Sequence, residues 1–181
     1  MLPVEIAAGV LQLRPLEDGH APELLASLAD PGMQVASALA ARGDRSAPAA
    51  TARFIAATQD WTDSECCWGV FDTMGDVLGG ISLFAIDAQQ CSGQVGYWTL
   101  PQARGRGVAT AALKAASGWA FGQLQLHRIE LFHAIDNPQS CAVANRAGFT
   151  LEGELRQSYL YHDGTRRDEH LHARLATDPI P

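Results

Sequence analysis

The chain has 181 residues, enough for one domain with a substantial core. Its 47% hydrophobic and 18% charged residues exclude a disordered chain, and its net charge of −7 speaks against a sequence-blind nucleic-acid binder, which needs many cationic contacts to phosphate. No apolar run approaches the roughly 18 to 20 residues of a membrane span, so neither nucleic acid nor membrane is expected as a partner.

Met1 to Val10 carries no positive charge ahead of its short apolar run, which argues against a secretory signal. Leu11 to Leu16 reads as the first strand, with Leu11, Leu13 and Pro15 alternating against Gln12 and Arg14. Asp18 opens a short helix over about Pro22 to Ala29, stopped by Asp30-Pro31-Gly32. Met33 to Pro48 is rich in small residues and reads as part helix, part loop. A second helix, Ala49 to Trp61, spaces Phe54, Ile55, Thr58 and Trp61 at helical intervals. Cys66–Asp72 and Val77–Asp87 form a predicted hairpin through Gly75. The strand Gln94–Leu100 follows, then a glycine turn and an alanine-rich helix from Val108 to about Leu124.

Arg128 to Ile135 is the next predicted strand. With the helix before it, it makes a right-handed crossover that sets it parallel to Gln94–Leu100. Asn137-Pro138 starts a helix that Gly148 stops, and Phe149–Tyr161 with Arg166–Leu175 close the chain as a hairpin. The expected fold class is α/β, a mixed sheet of about seven strands with helices on both faces. One domain is expected over residues 1–181, with its core over 10–176. Trp61, Trp68 and Trp119 read as core. Cys66 and Cys67 are adjacent, Cys91 and Cys141 stand alone, and no C-x-x-C or Cys/His zinc spacing occurs. The thiols therefore read as reduced and the protein as cytoplasmic.

Residues 102–109, Gln-Ala-Arg-Gly-Arg-Gly-Val-Ala, carry the strongest functional signal. A strand that enters a helix through two glycines leaves several N–H groups pointing one way, where the helix adds about half a positive charge. That is a nest for phosphate or diphosphate. A nucleotide-triphosphate loop would need Gly-x-x-x-x-Gly-Lys-Ser/Thr, which is absent. A dinucleotide fingerprint would need a third glycine where Thr110 stands, and several βαβ units rather than one. A plain helix start with two convenient glycines and a coenzyme A site remain.

Gln102-x-x-Gly105-x-Gly107 followed by Val-Ala-Thr resembles the diphosphate loop of the GCN5-related N-acetyltransferase (GNAT) superfamily. Gly96-Tyr97-Trp98, Asp136-Asn137-Pro138-Gln139-Ser140, Ala147-Gly148-Phe149 and Glu152-Gly153 resemble its ribosomal-protein N-terminal acetyltransferase branch. The resemblance implies a GNAT fold whose central parallel strands splay apart to admit acetyl-CoA. It places the pantetheine arm on the backbone of Trp98, Thr99 and Leu100. The diphosphate falls on the N–H groups of Arg104, Gly105, Arg106, Gly107, Val108 and Ala109, and Asn137 and Ser140 also touch the cofactor. The N–H of Trp98 or Thr99 would stabilise the oxyanion, and Ser140, or failing it Tyr159, would protonate the leaving thiolate.

Tyr159 stands where that branch carries a glutamate as base, and Gln94 where a glutamate often precedes Gly-Tyr-Trp. Glu130, Glu152, Glu154 and Asp168 stay open as bases. The implied reaction is direct acetyl transfer in a ternary complex to a protein or peptide α-amine, or to a small amine such as an antibiotic, without metal. An acyl-CoA-binding regulatory module with weak or lost catalysis is the rival reading. Residues 33–48 and the last hairpin are expected to wall the acceptor, and a homodimer is the assembly the resemblance allows. His170 and His172 share one face of the last strand, with His162 across the hairpin; no zinc pattern frames them, so they read as solvated on an edge strand. His133 reads either as part of the acceptor cleft or as core.

Overall fold

The computed structural model describes residues 2–28, 47–161 and 164–181. In chain order these form β1 (Ile6–Ala8), β2 (Leu11–Arg14), α1 (Ala21–Leu28), α2 (Ala47–Gln59), β3 (Glu65–Phe71), β4 (Val77–Asp87), β5 (Ser92–Thr99), α3 (Val108–Gln123), β6 (Arg128–Ala134), α4 (Pro138–Arg146), β7 (Thr150–Leu160) and β8 (Arg166–Leu175). Short 3-10 turns cover Asp18–His20 and Pro101–Ala103. The predicted elements are present within about two residues of their expected ends, except that the expected stop of the first helix at 29–32, residues 33–46 of the small-residue segment and His162 lie outside the described residues.

The sheet has 8 strands, not about seven, in the order β1-β2-β3-β4-β5-β6-β8-β7. The added strand is β1, which folds back on β2 through Gly9 at φ 68° and pairs Ile6 with Leu13. It is too short to show a period of its own, and α3 packs over it. Every neighbouring pair is antiparallel except β5–β6, the parallel pair expected from the crossover. β8 lies between β6 and β7, so β7 is the edge.

Successive residues of a strand point to opposite faces. The Tyr97 hydroxyl donates to the Ser140 carbonyl in α4, while the neighbouring Trp98 ring meets Phe54 of α2 edge to face at 5.5 Å. α4 and α2 therefore cover opposite faces, with α3 beside α4 and α1 beside α2. On α3 the buried stripe is Val108, Ala112, Leu113, Ala116, Ser117 and Ala120, a helical period of small side chains that brings the helix close to the sheet. Trp61, Trp68 and Trp119 meet edge to face with centroids 4.6 to 5.5 Å apart. Two of their indoles are satisfied: Trp68 donates to the Val4 carbonyl and Trp61 to that of Cys67. Among the described residues, no helix is long and apolar enough to cross a membrane.

Candidate active site

The parallel pair opens where the resemblance places the cofactor. β5 and β6 are in register at Ser92–Arg128, Gly93–Ile129 and Gln94–Glu130, and then part, although β5 runs on to Thr99 and β6 to Ala134. From that point the side of β5 that faces β6 has lost its ladder partner. Which groups it presents follows from the other side. Leu100 N–H donates to the Leu78 carbonyl at 2.9 Å, and along an antiparallel strand the main chain of alternate residues turns the same way. Leu100 and Trp98 therefore direct their N–H groups to β4, whereas Tyr97 and Thr99 direct theirs into the gap. This corrects the expectation for the strand edge. Of Trp98, Thr99 and Leu100, only Thr99 offers its amide to a ligand, and Tyr97, which the motif reading passed over, is its companion.

β4 lies close against β5 here because Gly79 and Gly80 stand opposite Thr99 and Trp98. A Cβ on Gly79 would press into the Trp98 carbonyl oxygen, and one on Gly80 would lie 2.6 Å from both the Trp98 indole nitrogen and the Phe54 ring. The indole Nε1 of half-buried Trp98 is buried without a hydrogen-bond partner.

After Leu100 the chain makes a single 3-10 turn, where Ala103 N–H donates to the Leu100 carbonyl and Arg104 N–H to that of Pro101. The Arg104 amide is thus spent inside the turn. Gly105 and Gly107 follow at φ 73° and 78°, in the left-handed region that glycine adopts without steric cost, and Gly107 caps α3. Among the described residues, no backbone carbonyl takes the N–H groups of Gly105, Arg106, Gly107, Val108 or Ala109. Residues 104–107 are exposed, Ala109 is half-buried, and only Val108 turns its side chain into the core.

On the other side of the gap, Asn137 caps α4 by accepting from the Ser140 N–H at 3.1 Å, and Pro138 occupies the first turn. Ser140 is half-buried, and Tyr97 reaches its carbonyl at 3.4 Å. Burial pushes the Tyr97 phenol up to about 12, with the Ser140 contact lowering it slightly, so it stays a neutral donor. Tyr97 thereby ties the open strand to the turn that carries Asn137 and Ser140.

Tyr159 lies farther off, on β7 with β8 between it and β6, its ring edge to face with Tyr161 at 5.3 Å. Three of the open carboxylates hold structure together. Glu130 and Glu152 both bind Arg128, which keeps Glu152 below the usual carboxylate range, and Asp168 takes the Gln157 N–H at the bulge in β7. Glu154 lies 3.5 Å from His170. The sequence reading missed Glu169. It is 7% exposed, pairs in register with Ala134 at the end of β6, and accepts from Ser158 Oγ at 2.8 Å and Tyr161 Oη at 3.3 Å. The one local signal was its place among alternating residues of a strand that proves to be interior.

The histidines also depart from expectation. β8 is not an edge strand: His172 is fully buried and His133 is 6% exposed. Burial pulls both imidazoles below their ordinary range, which the Ala134 carbonyl partly offsets for His133. His133 shares its face with Leu131, under α4.

The profile of the acetyltransferase (GNAT) domain matches residues 11–150 of this chain. The chain is 36% identical over 94 residues to the YdaF protein of Bacillus subtilis (strain 168), covering 52% of this chain and 51% of that protein. It is 34% identical over 100 residues to the ribosomal-protein-serine acetyltransferase of Escherichia coli (strain K12), covering 55% of each. The matched stretch thus spans about half the length of these relatives. In overall fold, the chain is similar to the spermidine N-acetyltransferase of Vibrio cholerae crystallised with CoA and spermine. The TM-score is 0.76 at 22% identity, over 93% of this chain and 97% of that one.

Proposed function

This chain belongs to the GNAT acetyltransferase family, and from that premise we propose that it moves an acetyl group from acetyl-CoA to a primary amine by direct attack in a ternary complex. The observation that carries the reading is the parting of β5 from β6 beside a turn of unpaired amides. A diphosphate fits the N–H groups of Gly105 to Ala109, with the side chains of Arg104 and Arg106 as exposed cations beside it. The amides of a pantetheine arm fit the open edge at Tyr97 and the Thr99 carbonyl, as an added strand would, which leaves the Thr99 N–H for the reacting carbonyl. Acetyl-CoA supplies an activated acetyl group; the protein supplies alignment and charge. The Thr99 N–H faces the gap, where a carbonyl gaining charge needs a donor, and one such donor contributes about 2.7 to 4 kcal/mol. Ser140, held by Asn137 and Tyr97, is the proposed acid for the departing thiolate, in preference to Tyr159.

The amine enters from the α2 face, past Trp98. It must arrive neutral: an α-amine with a pKa near 8 is partly so at pH 7, whereas a lysine side chain at about 10.4 is almost wholly charged. Glu169 is the carboxylate on that face at the end of β6, and it is the proposed terminus for the released proton. The acceptor class is a peptide α-amine or a small polyamine. A homodimer is the proposed assembly, as the resemblance implies, and the cytoplasm the proposed setting, in keeping with four unpaired thiols.

The test is release of free CoA from acetyl-CoA with a panel of N-terminal peptides, spermidine and lysine-bearing peptides. Amine-dependent release that saturates supports the reading. CoA binding with no amine speeding thiol release would leave an acyl-CoA-binding module instead.

A further inference from the structure

The imidazoles that lie beneath α4 form a group of their own. His133 on β6 pairs in register with His170 on β8, and His172, opposite Leu131, stands on the same face. Cys141 reaches them from the first turn of α4. One donor atom from each of these four residues lies within 4.8 Å of every other. The rings are close: His133 stacks on His172 at 5.1 Å and meets His170 edge to face at 5.2 Å.

Their hydrogen bonds leave lone pairs turned inward. The Ala134 carbonyl lies 2.9 Å from His133 Nδ1 and can only accept, so the proton sits on Nδ1 and Nε2 is a bare donor to a metal. Glu154 likewise stands at His170 Nε2, leaving Nδ1. His133 Nε2 and His170 Nδ1 are buried without a hydrogen-bond partner; His172 turns one ring nitrogen toward the Phe149 backbone and leaves the other, equally buried, for a ligand. Each such atom costs about 1 to 3 kcal/mol, and so many in one place ask for a shared ligand. Asn145 Nδ2 lies 3.7 Å from the Cys141 sulfur. A backbone carbonyl, a carboxylate and an amide around three of the four donors make the outer shell that orients metal ligands.

We propose that His133, Cys141, His170 and His172 bind one zinc ion. Three imidazoles and one thiolate suit zinc, and four protein ligands leave no position for a reacting water, so the site is structural. Zn–N bonds of about 2.0 Å and a Zn–S bond of about 2.3 Å set neighbouring ligands roughly 3.3 to 3.7 Å apart. Donor atoms already within 4.8 Å of one another close to that by shifts of about 1 Å. Binding releases the thiol proton to solvent. The ion would pin the turn that carries Ser140 to two central strands. This inference stands apart from acetyl transfer, which needs no metal.

The test uses the reduced, full-length chain without a histidine tag and without acetyl-CoA. Zinc added and then dialysed should remain at one ion per chain by native mass spectrometry, and should raise the melting temperature. Cobalt(II) as a probe should give the strong visible absorption of a tetrahedral site together with a thiolate charge-transfer band. Cys141→Ala, at a half-exposed helix position that tolerates the change, should abolish that band and weaken zinc by more than the roughly 10- to 100-fold that loss of an outer-shell partner costs. His172→Gln should lose the ion as well. Failure of the reduced protein to retain zinc or cobalt would overturn the proposal in favour of waters among the imidazoles. Uptake that survives Cys141→Ala unchanged in affinity and spectrum would overturn it equally.

Discussion

Replacing Gly107 by alanine and, separately, by glutamate asks whether the glycine turn is a phosphate site or only a way into a helix. At φ 78° and ψ 3°, an L side chain costs roughly 1 to 2 kcal/mol, while an added Cβ meets nothing within 4 Å. Both variants should therefore fold, and both should lose about 2 to 8 °C in melting temperature. They part at the ligand. Alanine leaves the amides of Gly105 to Ala109 free, so CoA affinity should change only a few-fold. Glutamate sets a carboxylate on the order of 5 Å from a bound diphosphate. At an effective dielectric near 20, each like-charge pair then costs about 3 kcal/mol before salt screening. A net loss of about 2 to 3 kcal/mol, roughly 30- to 150-fold in Kd, is expected. Calorimetric titration with CoA, beside thermal melts of all three proteins, reads both effects. If the glutamate variant melts like the alanine variant and binds CoA within about threefold of the parent, the turn holds no phosphate and the reasoning fails.

Gly79→Ala forces a Cβ against the Trp98 carbonyl, a backbone atom that cannot rotate away. Urea melts should show a loss of about 1 to 3 kcal/mol, and an unchanged midpoint would contradict the close approach of β4 to β5. Ser140→Ala should lower turnover by about 100-fold or more while leaving CoA affinity intact, because the Asn137 cap uses the backbone N–H of residue 140 and not its hydroxyl; an unaltered rate would reduce Ser140 to a helix-start residue. Burial pushes the Cys66 thiol up to about 11 and Cys67 to about 12, so at pH 8 both stay protonated and resist a disulfide reagent. In native, metal-free protein, half-exposed Cys91 and Cys141 should react and the other two should wait for denaturant; four fast thiols would refute the burial.

Much of the fold was legible because local chemistry marks it. Asn137, Pro138 and Gly148 punctuate α4 in sequence as they do in space, with Gly148 at φ 82°. The crossover from β5 through α3 to β6 requires a parallel pair whatever the rest of the sheet does. Strand order, by contrast, is not a local property. Arg166–Leu175 reads as the last strand of a hairpin and hence as an edge, but the hairpin inserts β8 beside β6 and leaves β7 outside. That one inversion turned His170 and His172 from solvent to interior. β1 was invisible for a similar reason, since three residues acquire a partner only by folding back on β2.

The candidate site divides along the same line. Its glycine turn and α4 cap are short-range and were readable, whereas Tyr97–Ser140 and Glu169–Tyr161 join residues on different elements, and the four histidine and cysteine donors come from β6, α4 and β8. The choice between Trp98 and Thr99 also waited on strand order, because alternation says that one amide faces β4 only once β4 is known to lie on that side. This alternation has a consequence for the proposed reaction. Tyr97 belongs to the α4 face and Trp98 to the α2 face, so the sheet itself stands between the proposed cofactor anchor at Ser140 and the proposed proton acceptor at Glu169. The two reactants can meet only through the gap past Gln94 and Glu130, where the Thr99 amide points. Gly79 and Gly80 hold β4 close against β5 beside that gap, so the proposed reaction depends on this backbone spacing as well as on Ser140 and Glu169.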